Sequence, residues 1–336
     1  MVAIAKFPTV AIYDKVSPDN FGAIFAQQQP AVLKGLVTHW PIVAAGRQSP
    51  QALMNYLKAK DVGLPISLME TPQSADGNFV YSDDLSGFNF RRREMSLGAA
   101  LDCVHAKIAR PGAGVAAIQM LPTQSHLPTF AADNASPLLP PQISPRLWVG
   151  GPMQTQIHND GEHNIACVVA GRRRFVLFPP EEVGNLYIGP LDTPPALSVV
   201  RLESPDFAAY PKFQAALMSA REATLEPGDA LFLPKYWWHH VSSLAPVNAL
   251  VNYWWGAAGN GFESAFDSFQ TALLAVRDLP EAEKAYWKAM FDTYVFKSGG
   301  DPVAHIPQDR QGTLGPMGPQ MRDRLRKALF QAFLQS

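Results

Sequence analysis

Cysteine is scarce in this 336-residue chain, at two residues, Cys103 and Cys167. That excludes a disulfide-stapled scaffold and a cysteine-rich zinc module, and it fits a reducing, cytoplasmic setting. Charge is scarce as well: 17% of residues are ionised and the formal net charge is −1. Without a bulk basic field to grip a phosphate backbone, a nucleic-acid partner is disfavoured, although a local patch stays open. No apolar run approaches the roughly 20 residues that span a bilayer, so no membrane partner is expected. The first eight residues carry one lysine and no long apolar stretch or small-residue cleavage site, which reads as no signal peptide. Internal repeats and low-complexity tracts are missing too. What the chain does have is 47% apolar residues, 30 prolines and 24 glycines. It can bury a sizeable core, is rich in turns, and suits one large domain with appendages or two modest ones.

The texture changes twice along the chain. Residues 1–113 mix short extended pieces with helix and are expected to form an N-terminal α/β region. Here the pattern predicts a helix over about 20–29, a buried strand over 31–37, and a helix opened by Ser49-Pro50. After Arg91-Arg92-Arg93 comes an amphipathic segment over 96–108, ending at Pro111-Gly112. Residues 114–258 read as closely spaced β runs, at 114–121, 146–150, 155–158, 164–170, 174–178, 197–202, 223–225, 230–233, 240–243 and 249–255. Their spacing and turn signals predict a β-sandwich or jelly roll. Residues 259–336 turn helical, with helices expected over 262–279, 281–296 and 320–335. The last places Met321, Leu325, Ala328, Leu329, Ala332 and Phe333 on one face, suited to its own domain or to a second subunit.

Four of the eight histidines fall in two short clusters. The first is His158-Asn159-Asp160, with His163 just beyond; the second is Trp237-Trp238-His239-His240. Residues i and i+2 of a strand point the same way, so His158 and Asp160 can aim at one point. Two histidines and one carboxylate, with no thiolate, make the facial triad of non-haem Fe(II) oxygenases, which leaves three positions for co-substrate and O2. An isolated His-x-Asp occurs by chance in many proteins. Its conjunction with a later Pro-x-x-Trp-Trp-His, with β texture between, is more specific. Such an oxygenase needs two further electrons, commonly from 2-oxoglutarate, whose distal carboxylate needs a cation and hydroxyls. Gly171-Arg172-Arg173-Arg174 opens a strand, so one arginine can face inward while its neighbours face out. Thr155 could add a hydroxyl. Asn164 and Asn252 sit inside apolar β runs, where an unpartnered amide is costly. A solvated arginine face and turn asparagines are the plainer alternatives.

The runs from Thr155 to Asn164, from Gly171 to Pro180, from Glu226 to His240, and Val251-Asn252-Tyr253-Trp254 resemble the JmjC-type, cupin-8-like oxygenases. The branch they most resemble is the asparaginyl hydroxylase that acts on hypoxia-inducible factor. Pro30 to Leu36 with Trp40-Pro41 is similar to an early strand of the family, so the resemblance spans about residues 20–256. It implies a mainly β fold with added helices, a double-stranded β-helix over 114–258, and a C-terminal helical dimerisation segment. It implies Fe(II) held by His158, Asp160 and His239, with 2-oxoglutarate as co-substrate and O2 as oxidant. It places Arg173 where the branch usually carries a lysine for the distal carboxylate, a change that keeps the charge and adds a fork. Thr155, Asn164, Asn252 and Trp254 match positions lining the co-substrate pocket. The branch also tends to carry a tyrosine in the strand before the metal motif, which here reads Val115-Ala116-Ala117-Ile118-Gln119-Met120.

Three functions share this ligand set. One is a hydroxylase acting on a protein or peptide side chain, giving succinate and CO2. Another is the same chemistry on a small metabolite. The third is a non-catalytic metal-binding cupin sensor, for which Arg173 and Thr155 have no purpose.

Overall fold

The computed structural model describes residues 6–75, 77–110, 112–256 and 264–335, without the side chains of residues 333 and 335. The chain divides into two units, Met1–Ala257 and Ala258–Ser336. In the first, the strands are β1 (Ala11–Asp14), β2 (Ala31–Lys34), β3 (Ile66–Glu70), β4 (Asn78–Phe79), β5 (Arg91–Met95), β6 (Ala116–Pro122) and β7 (Arg146–Gly150). There follow β8 (Met153–His158), β9 (His163–Ala170), β10 (Arg173–Phe178), β11 (Arg221–Leu225), β12 (Ala230–Leu233), β13 (Trp238–Ser243) and β14 (Asn248–Trp255). They form a nine-stranded sheet in the order β1-β2-β12-β9-β14-β7-β6-β3-β5 and a five-stranded sheet in the order β11-β10-β13-β8-β4. This is the mainly β jelly roll with added helices that the strand spacing predicts.

Burial follows residue parity. Along β9 every residue is buried, because both faces of the large sheet are covered and the usual apolar–polar alternation has no solvent side. Its even residues Ala166 and Val168 join Phe175, Leu177, Val241 and Leu250 between the sheets. Its odd residues Ile165, Cys167 and Val169 face a second core with Trp40, Ile42, Leu53 and Leu57. The helix Pro41–Gln48 approaches β9 so closely that a Cβ at Gly46 would stand 2.2 Å from the Val169 carbonyl oxygen; only glycine fits there. The outer face of the small sheet (Ile157, Val176, Phe178, Trp238) is covered by Leu186, Val200, Leu202 and Phe213.

Local signals place three of the N-terminal helices, though not Pro41–Gln48. Ser49 Oγ accepts from the Ala52 N–H at the head of Pro50–Lys58, and Ser96 Oγ from Ala99 at the head of Leu97–Ile108. The helix expected over 20–29 runs Pro18–Ala26, and the strand expected over 31–37 is Ala31–Lys34. Pro111, part of the expected turn, lies outside the described residues. The strand expected over 197–202 does not form. Only Ser198 makes an isolated bridge, to Ile188. The segment is spent as a cover, with Val200 and Leu202 buried against the small sheet.

Asp229 ties the N-terminal region to the sandwich. Its buried carboxylate accepts from Lys34 Nζ at 2.7 Å, the Gly35 N–H at 2.9 Å and the Glu226 N–H at 3.1 Å. Asp229→Ala leaves two backbone donors and a half-exposed ammonium without their acceptor. A loss of about 2–3 kcal/mol is expected, read as a lower urea midpoint at unchanged slope; an unchanged midpoint would deny the carboxylate that role.

The second unit is helical, with Ala265–Ala275, Glu281–Met290 continued by a π-helical turn Phe291–Val295, and Pro319–Gln335. The start of the helix expected over 262–279 and the side chain of Phe333 lie outside the described residues. Leu329, Phe330 and Leu334 are 48%, 56% and 71% exposed, and Met321 and Leu325 are half-buried. Among the described residues no helix is long and apolar enough to cross a membrane.

Candidate functional site

β8 and β13 are antiparallel neighbours in the small sheet, with His158 directly opposite His239. A non-local pairing therefore unites the two histidine clusters. The imidazole centroids are 4.2 Å apart, and His239 Nε2 stands 3.8 Å from Asp160 Oδ2. One donor atom from each of His158, Asp160 and His239 lies within 4.8 Å of the others. The loops are joined by the main chain: Tyr236, at φ 70, donates its N–H to the Asp160 carbonyl at 2.9 Å.

A bulge decides what else faces this point. Between His239/His158 and Val241/Thr155 the register shifts: β8 has two residues, Gln156 and Ile157, opposite the single His240. In an unbroken strand, Thr155 and His158 would point to opposite faces. The extra residue brings both to one cavity. β6 carries a similar irregularity between Ile118 and Leu121. Met120 there adopts φ 56, and Gln119 and Met120 both reach the cavity wall, on the strand that lacks the tyrosine.

The histidines are held in a usable form. His158 Nδ1 lies 2.7 Å from the Gln156 carbonyl oxygen, and His239 Nδ1 3.0 Å from that of Trp237. A carbonyl only accepts, so each Nδ1 is the donor and each Nε2 is the ring nitrogen left to face a metal. Burial, then the neighbouring His158, pushes His239 down to about 4 against the pull of Asp160, so this ring is neutral at pH 7. Two imidazoles and a carboxylate, with no thiolate, suit a divalent first-row ion, and the donor set fits iron. His240 points away and meets Glu203 Oε1 at 2.8 Å. His163 takes no part: it accepts from the Lys235 N–H at 3.2 Å and packs on Phe25.

Beside the triad lies a cavity of about 400 Å³. Thr155, Asn164, Arg173, Asn252 and Trp254 all line it with His158, Asp160 and His239. Of the arginine run, Arg172 is exposed, Arg174 pairs with Glu222, and Arg173 is 4% exposed on the inner face. Arg173 Nε and Nη2 and Trp254 Nε1 are buried with no hydrogen-bond partner. Native interiors rarely leave such groups unsatisfied, and donors alone around a cavity are what an anion's oxygens satisfy. Burial lowers Arg173 to about 10, so it stays cationic at neutral pH. The residues present thus fit a dicarboxylate beside a metal.

Several lining residues carry no signal in the sequence. Trp148 donates its indole N–H to Asn252 Oδ1 at 2.8 Å, yet in β7 it reads as ordinary core. Pro195 and Leu197, from the segment that replaces the expected strand, form another wall. Tyr81 pins that segment, its hydroxyl accepting from the Leu197 N–H at 2.8 Å. Phe79, Phe90, Phe88 and Tyr81 form a ladder of rings 5.2–5.5 Å apart, and Phe79, Phe88 and Phe90 open on the cavity.

The chain is similar to several known proteins. The lysine-specific demethylase JMJ31 of Arabidopsis thaliana is 39% identical over 103 residues, 30% of this chain and 19% of its own length. The HSPB1-associated protein 1 of Bos taurus is 29% identical over 243 residues, 69% of this chain and 49% of its own. The human bifunctional peptidase and (3S)-lysyl hydroxylase JMJD7 is 25% identical over 260 residues, 68% of this chain and 77% of its own. The chain thus spans about a fifth to a half of the first two relatives. The profile of the cupin-like domain, Cupin-8, matches residues 18–260, more than half of the chain, and so the chain belongs to the cupin-like domain family.

Proposed function

We propose that this protein is an Fe(II)- and 2-oxoglutarate-dependent hydroxylase acting on a protein or peptide side chain. The observation that carries this is one cavity holding both a two-histidine, one-carboxylate donor set and a buried, unpartnered guanidinium. In this reading His158, Asp160 and His239 hold the metal. Arg173 and Thr155 take the distal carboxylate of the keto acid, while Asn164, Asn252 and Trp254 line its remaining length. The bound metal supplies O2 activation coupled to oxidative decarboxylation, so that substrate C–H, O2 and 2-oxoglutarate become C–OH, succinate and CO2. The protein supplies orientation, a fixed charge and a wall against water.

A sensor that merely binds metal would gain nothing from burying Arg173 unpaired, since that burial is destabilising. A small-metabolite hydroxylase is the closer competitor, favoured by the fixed wall of Pro195 and Leu197. Within the protein-directed class, the motifs favour the asparaginyl-hydroxylase branch. An asparagine peptide is the first acceptor to assay and a lysine peptide the second, because two relatives carry lysine-directed names. A reducing, cytoplasmic setting suits a ferrous metal and the two free thiols. The test is anaerobic titration of Fe(II) and 2-oxoglutarate, watched for the metal-to-ligand absorption band, followed by succinate formation with each acceptor pool. Absence of the band would overturn the reading.

Residues 1–113 serve here as the covering region, 114–258 as the catalytic barrel and 259–336 as a dimerisation segment. The exposed Leu329, Phe330 and Leu334 support a homodimer through the last helix, an isologous contact in which each patch meets its own copy. Light scattering is expected to show a dimer at micromolar concentration, split by Leu325→Asp with Leu329→Asp. A monomeric wild type would remove this part of the proposal.

A further inference from the structure

Three side chains on neighbouring strands form one wall of the cavity. Asn252 on β14 pairs with Arg146 on β7 and with Ala166 on β9. Trp148 and Asn164 each lie two residues from those partners, so both are diagonal, same-face neighbours of Asn252. The hydrogen bonds run in one direction. Trp148 Nε1 donates to Asn252 Oδ1 at 2.8 Å, and Asn252 Nδ2 donates to Asn164 Oδ1 at 3.4 Å.

That direction is forced by chemistry. An indole N–H donates and never accepts, so Asn252 must turn its oxygen toward Trp148 and its NH2 toward Asn164. Asn164 then accepts with its oxygen and keeps its own NH2 as the free group. An asparagine amide has two orientations that differ by half a turn and are nearly equal in shape. Without the indole, nothing in this chain of bonds distinguishes them, and the reversed state would place carbonyl oxygens where the wall now offers N–H groups.

We propose that Trp148 is a positioning residue that sets the polarity of this amide pair, so that the wall offers donors to an anionic co-substrate. This rests on the keto-acid reading of the site. The wall then acts in concert with Arg173 and with Trp254 Nε1, itself buried and unpartnered. Trp148 also meets Trp254 edge-on, with ring centroids 6.1 Å apart. Phenylalanine keeps an aromatic ring for that contact while removing the N–H and part of the bicycle, so comparison with a histidine variant isolates the N–H.

The experiment is calorimetric titration of 2-oxoglutarate into the Mn(II)-loaded full chain. Trp148→Phe is expected to weaken 2-oxoglutarate binding about ten-fold, with Mn(II) affinity and melting temperature unchanged. Trp148→His, which retains a ring N–H, is expected to recover most of that loss. In an Asn252→Ala background Trp148→Phe should add nothing, because its effect runs through that amide. Unchanged affinity in Trp148→Phe, or the same loss with and without Asn252, would overturn the proposal. If the phenylalanine variant fails to fold, Trp148→Leu is compared with Trp148→His: weaker binding in the leucine variant supports the proposal, and equal binding overturns it. A wild type that binds Mn(II) but no 2-oxoglutarate defeats the functional reading and this proposal together. A wild type that binds both defeats only this proposal if the variants match it.

Discussion

Asp160→Ala is expected to abolish acceptor-dependent succinate formation while leaving the fold near intact. Loss of partners that merely orient a metal's ligands commonly costs 10–100-fold in affinity or activity, so removing a ligand should cost more than about 100-fold. The fold should survive because the loop is tied by backbone: the Asp160 carbonyl oxygen, not its carboxylate, accepts from Tyr236. The Asp160 side chain keeps 20% of its surface exposed and borders the cavity, so its loss opens no apolar void. Metal content after Fe(II) loading, the melting temperature and succinate release should be measured on one preparation. A variant that lost activity only in proportion to a lower melting temperature would show a structural aspartate. One that kept full succinate production would remove Asp160 from the ligand set.

Arg173→Met is expected to do two opposite things at once. Binding of 2-oxoglutarate, read as the co-substrate's upward shift of the melting temperature, should disappear. The protein without co-substrate should become more stable, by about 1–3 kcal/mol, because an apolar chain of similar length replaces a buried charge lacking partners on Nε and Nη2. The sign follows from the titration. Burial lowers the folded-state value to about 10 from the usual 12.5. A cation whose folded pKa is depressed carries its full penalty below the folded value and sheds it only as pH rises toward the unfolded one. At pH 7 the penalty is wholly present, so the gain should be measurable there by urea unfolding. A destabilised variant that still binds 2-oxoglutarate would show that Arg173 serves the core rather than the cavity.

Much of the architecture is legible in the chain because it depends on local patterns. β7 and β12 run over the residues that apolar spacing predicts, 146–150 and 230–233, and the helix starts at Ser49 and Ser96 follow from side chains that cap their own backbone. The segment 197–202 shows where such patterns fail. Its apolar residues are equally apt for pairing in a ladder or for covering a sheet, and tertiary packing chose the cover. β1, β3 and β4 and the helix Pro41–Gln48 carry no clear pattern of their own in the sequence. The strands are short, and none can bury its apolar side chains without distant partners.

Composition and motif spacing by themselves determined the kind of chain this is: a β-rich, cysteine-poor, charge-poor domain with two histidine clusters and one inward arginine among three. The resemblance already implied the set His158, Asp160 and His239 and singled out Arg173. Only the tertiary structure decided that His158 lies directly opposite His239, that Arg173 Nε and Nη2 are buried without partners, and that Thr155 shares a face with a residue three places on. The reason is physical. Periodicity assigns a face within one unbroken strand, whereas register, and the bulge in β8 that overrides periodicity, are settled between strands that are far apart in the chain.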